Sequence, residues 1–160
     1  MSQTNSIEKS AILGATGPTG IHLAAALLRR GIKVRVVSRS RASLERLFPD
    51  PSVERIPADA LRPGEVLRAI EGCTHVFDCI GLPADQMDKH PVTARNVAAA
   101  FRETGARCLQ VSSFWVYLPL QAEALNEKHP RTGGNDWVRL RREAEDILQG
   151  GGAAVVHLPD

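Results

Sequence analysis

The sequence predicts an α/β fold: a doubly wound parallel sheet of about six strands in the order 3-2-1-4-5-6, covered on both faces to give three layers, αβα. Three observations predict it. Strand-like and helix-like segments alternate along the 160 residues, and such alternation implies parallel strands joined by right-handed crossovers. The first apolar run, residues 11–13, opens directly into a turn with glycines at every third position, Gly14, Gly17 and Gly20. That turn runs straight into a segment with helical periodicity, in which Ile21, Ala24, Ala25 and Leu28 share one face.

The remaining elements follow in order. The first helix covers residues 21–30, with Gly31 as its C-terminal cap. Residues 32–37 form the second strand, and a short helix over 42–47 stops before Pro49. A third strand, 53–56, ends at Pro57; a helix begun near Pro63 continues over 65–71. The fourth strand is 75–80. A longer helix, 92–103, is closed by Gly105, and the fifth strand is 107–111. A loop containing Pro119, Pro130, Gly133 and Gly134 precedes a helix over 136–149 and a sixth strand over 153–158. Residues 1–10 read as a frayed tail. The whole chain reads as one domain, 1–160.

Composition excludes several classes. A net charge of +2, with scattered basic residues, does not argue for nucleic acid. No apolar run is long enough to span a bilayer, and the polar start lacks the core of a signal peptide. Three cysteines, Cys73, Cys79 and Cys108, show no C-x-x-C spacing. They argue against a disulfide framework or a zinc site. Cys79 and Cys108 lie in apolar runs as buried thiols, Cys73 lies at a turn, and free thiols fit a reducing cytoplasm. The five histidines show no metal-ligand spacing and read as solvated or structural.

The glycine-spaced turn carries the chemistry. Backbone N–H groups can approach a pyrophosphate only where side chains are small, and the positive end of the following helix then faces the anion. The spacing here is G-x-x-G-x-x-G, not the common G-x-G-x-x-G. Several segments together now resemble one family, the short-chain dehydrogenase/reductase superfamily in its extended or atypical branch, the epimerase/dehydratase-like group with a Rossmann fold. They are residues 12–20, Ala58-Asp59-Ala60, residues 75–81, residues 93–97 and residues 111–117.

The resemblance implies an NAD(P)-binding domain. Gly14, Gly17 and Gly20, with Pro18, form the pyrophosphate turn, and Thr16 and Thr19 add hydroxyls. Asp59 either accepts from an adenine amino group or caps a turn. Gly81 lies where backbone passes close to the cofactor. No acidic residue stands at the end of the second strand, where it would bind a ribose 2′-hydroxyl. Ser38 and Arg39 stand there instead and suit a 2′-phosphate, so NADP is expected over NAD.

The family uses a Ser or Thr, a Tyr, and a Lys four residues after the Tyr. Ser113 matches the first. The pair is missing: Ala144-Glu145 sets a register that puts Trp137 at the Tyr position and Arg141 at the Lys position. Tyr117 is the only tyrosine, and Gln121 follows it by four. Indole is no proton-transfer acid and guanidinium does not deprotonate. Ser113, Tyr117 and Arg141 are therefore the catalytic candidates of an atypical site. Asp78, a carboxylate in an apolar strand, either faces the cofactor or caps nearby backbone. The resemblance also implies a substrate lobe after the sixth strand that is absent here, and a homodimer through the helices 92–103 and 136–149. Two readings stay open: an NADP(H)-dependent oxidoreductase or epimerase acting on a small carbonyl or sugar-nucleotide compound, or a non-catalytic NADP(H)-binding sensor or assembly module. A purely structural interaction domain comes third.

Overall fold

The computed structural model describes residues 8–120, 123–126, 128–132 and 134–158. The tail up to residue 7, Gly133 of the long loop, and Pro159 and Asp160 after the last strand lie outside them. Six strands form one sheet: β1 (Lys9–Leu13), β2 (Lys33–Ser38), β3 (Glu54–Pro57), β4 (His75–Asp78), β5 (Arg107–Ser113) and β6 (Ala154–Leu158). Their order is β3-β2-β1-β4-β5-β6, and every pairing is parallel. This is the doubly wound order that the alternation and the first turn predict.

Five helices link the strands: α1 (Pro18–Arg29), α2 (Arg41–Leu47), α3 (Pro63–Ile70), α4 (His90–Thr104) and α5 (Asp136–Gly150). Helices α1 and α2 cover one face, over Ile12, Val34 and Val36. Helices α3, α4 and α5 cover the other, over Leu13, Val37 and Val76. Adjacent residues Ile12 and Leu13, like Val36 and Val37, thus point into opposite cores, because side chains alternate along a strand. Both faces being buried is why these strands read as continuous apolar runs.

Boundaries moved where capping chemistry acts. Helix α1 begins at Pro18, not residue 21, because Gly17 is its N-cap and proline suits the first helical position, where no N–H is needed. The same tolerance starts α4 at His90, with Pro91 in its first turn. A 3-10 turn, Ala84–Lys89, precedes it and was not expected. Strand β4 stops at Asp78 rather than residue 80: Asp78 Oδ1 accepts from Ile80 N at 3.1 Å and turns the chain. Lys9 and Ser10 belong to β1, not to a tail.

Charged residues inside the sheet have partners. Buried Arg35 of β2 donates to the carbonyls of Ala69 (2.9 Å) and Glu71 (2.7 Å) at the end of α3, and to Glu54 Oε1 of β3 (2.9 Å). It thereby satisfies carbonyls that a helix end leaves free. Cys108 is buried as expected; Cys73 is buried too, despite its turn, and Cys79 is only half-buried. On α4, Val92, Ala99 and Glu103 are exposed, while Ala100 is in the core. Among the described residues no helix is long and apolar enough to cross a membrane.

Candidate functional site

The site begins with the turn after β1. Gly14 has φ +73, which L side chains rarely adopt, and a Cβ there would lie 2.5 Å from the Cys79 carbonyl oxygen. The turn is therefore pressed against the end of β4. A Cβ on Gly20 would lie 2.6 Å from Ala15 Cα, so this glycine lets α1 pack down onto the turn. Gly17 differs: its Cβ would meet nothing nearer than 3.5 Å. It caps α1, which has no side-chain cap and no acidic residue in its first turn. The first N–H groups of a helix lack partners within it. Here they open, with the positive end of the helix, toward a cleft.

That cleft, of about 430 Å³, is lined by Gly14, Thr16, Gly17, Pro18, Thr19, Ser38, Arg39, Asp59 and Gly81. Gly20 alone of the expected cofactor residues is not at its surface. Thr16 Oγ1 donates to Ser38 Oγ at 3.1 Å, which ties the glycine turn to the end of β2. Arg39 is exposed at the rim beside it. Asp59 Oδ1 accepts from Leu61 N at 3.0 Å, so it caps a turn while also lining the cleft. Its own N–H donates to Glu65 Oε2 at 2.8 Å. Half-buried Cys79 lines the cleft too, and burial pushes its thiol up to about 12, away from reactivity.

A second pocket, of about 260 Å³, adjoins the cleft through Gly81 and Leu82, which line both. Ser113 and Arg141 line it, with Trp137, Trp115, Met87 and His90. Ser113 Oγ accepts from Trp115 N at 3.3 Å. Tyr117 is not brought to this pocket's lining. It is buried and packs edge-on against His157, ring centroids 5.0 Å apart, with its hydroxyl 3.3 Å from His157 Nδ1.

Beneath the pocket runs a buried polar network that sequence reasoning missed. Arg141 Nη1 donates to His90 Nε2 and Nη2 to Ser112 Oγ, both at 3.4 Å. Ser112 Oγ donates to Glu145 Oε1 at 2.5 Å. Glu145, fully buried, also takes Arg131 Nη1 at 2.8 Å and lies 3.3 Å from His157 Nε2. The signal was present: Val138, Arg141, Glu145 and Leu148 share the inward stripe of α5 at helical spacing, and a carboxylate in such a stripe must have partners.

Burial sets the protonation states. It pushes Asp78 up to about 6, opposed by the Ile80 N–H and the Arg141 charge. Burial, reinforced by the Arg141 charge, holds His90 down at about 4, so it is a neutral acceptor for Arg141 near neutral pH. Burial also lowers Arg141, against the pull of Asp78 and Glu145. Asp78 is thus both a backbone cap and an electrostatic neighbour of Arg141. Among the described residues no group of three His, Cys, Asp or Glu side chains is placed to hold a metal.

A glycine turn on a helix N-terminus, at the carboxyl edge of a doubly wound sheet, defines a dinucleotide-binding Rossmann domain. A family model described as NAD(P)H-binding matches residues 14–157, and the chain belongs to that family. Solved structures share the fold. The enzyme WbmG of Bordetella bronchiseptica in complex with NAD superposes with a TM-score of 0.82 at 20% identity, covering 99% of this chain and 55% of that one. The UDP-Glc/GlcNAc 4-epimerase of Campylobacter jejuni gives 0.80 at 16%, covering 94% and 53%. A short-chain dehydrogenase/reductase superfamily protein from Agrobacterium tumefaciens, with bound NAD, gives 0.76 at 17%, covering 94% and 48%. The chain spans about half the length of these neighbours.

Proposed function

We propose that the chain is an NADP(H)-dependent oxidoreductase of atypical active site. The observation that carries this reading is continuity: the glycine-turn cleft and the pocket holding Ser113 and Arg141 share Gly81 and Leu82. The residues present fit the cofactor. The glycine turn and the α1 N-terminus hold the pyrophosphate, with Thr16 and Thr19 beside it. Arg39 pairs with a ribose 2′-phosphate where an acidic residue would repel it, Ser38 holds the turn through Thr16, and Asp59 receives the adenine amino group. When bound, the cofactor supplies or accepts a hydride at the second pocket. There Ser113 donates to a carbonyl oxygen, and Arg141 carries the positive charge that a lysine carries in the family.

The neighbours that bind NAD make the choice of NADP the point to test. Calorimetric titration with NADPH and with NADH checks it: NADPH is expected to bind at least about tenfold more tightly, and equal affinities would remove the Arg39 argument.

A second reading is a non-catalytic NADP(H)-binding sensor or assembly module. Trp137 and Arg141, neither able to give up a proton at ordinary pH, favour it, as does a Tyr117 that is turned to His157 and does not line the pocket. Consumption of bound NADPH in the presence of a carbonyl compound separates the two. A homodimer through α4 and α5 would use the exposed Val92, Ala99 and Glu103 face; light scattering showing only monomer would exclude it.

A further inference from the structure

The second pocket is marked by its aromatic lining. The sequence holds two tryptophans, and both line this one pocket. Each indole is 43% exposed, and large indoles left this open in a small concavity offer flat apolar surface to a ligand. Neither sits on a loose segment. Trp115 lies on the 3-10 turn Phe114–Tyr117 that ends β5, and Trp137 on the first turn of α5, anchored by the Asn135 cap. Val116 and Val138, also in the lining, are buried and belong to one apolar cluster.

Polar groups are few. Ser113, His90 and Arg141 are the polar side chains of the lining, beside the indole N–H donors of Trp115 and Trp137. Ser113 Oγ already accepts from Trp115 N, and His90 Nε2 faces Arg141. A sugar would bring many hydroxyls that these groups cannot satisfy, at a desolvation cost for each. Arg141 is the exception. Among the described residues no carboxylate oxygen lies within 4.0 Å of its guanidinium, and its two hydrogen bonds are long, 3.4 Å each. Asp78 and Glu145 act on this cation from beyond ion-pair distance, and a partly desolvated guanidinium without a close counter-ion favours an anion, its plane also suiting an aromatic face.

We infer that this pocket binds a flat aromatic anion of one or two rings, stacked between Trp115 and Trp137 with its charge at Arg141. The volume, about 260 Å³, lies just under the range of drug-sized sites. The inference rests on the proposed oxidoreductase reading only for the claim that this ligand is the substrate or product beside the cofactor.

The test uses the full chain and its own fluorescence. Because both tryptophans line the pocket, intrinsic emission reports on it directly. Benzoate is the probe. Cyclohexanecarboxylate (an anion without a flat face), benzamide (flat but uncharged) and UDP-glucose are the comparisons. Saturable quenching by benzoate is expected, with each comparison at least about tenfold weaker. Trp137→Leu should weaken benzoate about three- to tenfold while Trp137→Phe largely retains it; Trp137 is exposed, so neither should unfold the chain. NADPH should leave benzoate binding unchanged or tighten it. If UDP-glucose outcompetes benzoate, or if benzoate does not bind, the inference is overturned. If NADPH and benzoate exclude each other, the pocket is a nicotinamide subsite and the inference is again overturned. Benzoate binding without any NADPH binding would remove the cofactor reading and leave the pocket assignment standing.

Discussion

The two halves of the sheet's carboxyl edge are built on different principles. At β1–β3 the candidate site is mostly backbone: a turn whose conformation only glycine tolerates at Gly14, a helix end, and a close strand crossing at Cys79. At β4–β6 it is side chains: Ser113, Arg141, two indoles and a buried network of Asp78, His90, Ser112 and Glu145. A backbone site is set by spacing, and it survives changes in the residues around it. A side-chain site is redefined by a single substitution, and this one is built on an indole and a guanidinium, Trp137 and Arg141.

The largest contrast should come from glycines. Gly14→Ala would place a methyl 2.5 Å from the Cys79 carbonyl oxygen at φ +73. It is expected to destabilise the fold by about 2–4 kcal/mol and to abolish dinucleotide binding. Gly81→Ala meets nothing within 4 Å, so its stability should change by less than about 0.5 kcal/mol. Denaturant unfolding of both variants checks the pair; equal losses would mean that the turn is not held against β4.

The side-chain half should show itself in pH. Asp78 rises from 3.8 to about 6 on folding, so the folded state keeps its proton better, and stability falls as pH climbs through about 6. His90 falls from 6.5 to about 4, so stability falls instead as pH drops below 6.5. The two windows overlap and the slopes oppose. Asp78→Asn, which keeps an acceptor for Ile80 N, should stabilise by about 3 kcal/mol at pH 7.5 and by little near pH 4. His90→Gln should do the reverse, stabilising by about 3 kcal/mol near pH 4 and by little at pH 7.5. Unfolding curves across this range read both, and parallel profiles for wild type and both variants would refute the burial assigned to these groups.

A smaller effect is expected deeper in the network. Glu145→Gln keeps an acceptor for Ser112 but weakens the contacts with Arg131 and His157; a loss of about 2 kcal/mol is expected, less than removing one partner of a fully buried ion pair. Thermal unfolding measures it, and an unchanged midpoint would make Glu145 a spectator. Smallest is Arg39→Ala, on the exposed rim. It should cost NADPH about 1.5 kcal/mol of binding and NADH almost nothing, by calorimetry. Equal loss for both would break the NADP assignment.

The strand order, the two covered faces and the glycine turn were legible because each rests on local periodicity or on spacing within a few residues. Element ends were less so: the helices expected from residues 21 and 92 begin earlier, with Pro18 and Pro91 in the first turns of α1 and α4, where a missing N–H costs nothing. Of the two roles open to Asp59, the turn cap is seen, and the residue also lines the cleft.

By itself the sequence determined the sheet order, the backbone of the dinucleotide turn and the absence of a Tyr-x-x-x-Lys pair, since all three are properties of residue type and interval. Only the tertiary structure decided which side chains meet. Residues 90, 112, 141 and 145 converge because α4 and α5 lie side by side over β5, and Tyr117 turns to His157 because β6 pairs in register with β5. Such meetings join positions tens of residues apart, and they are fixed by how whole elements pack, which no local pattern encodes.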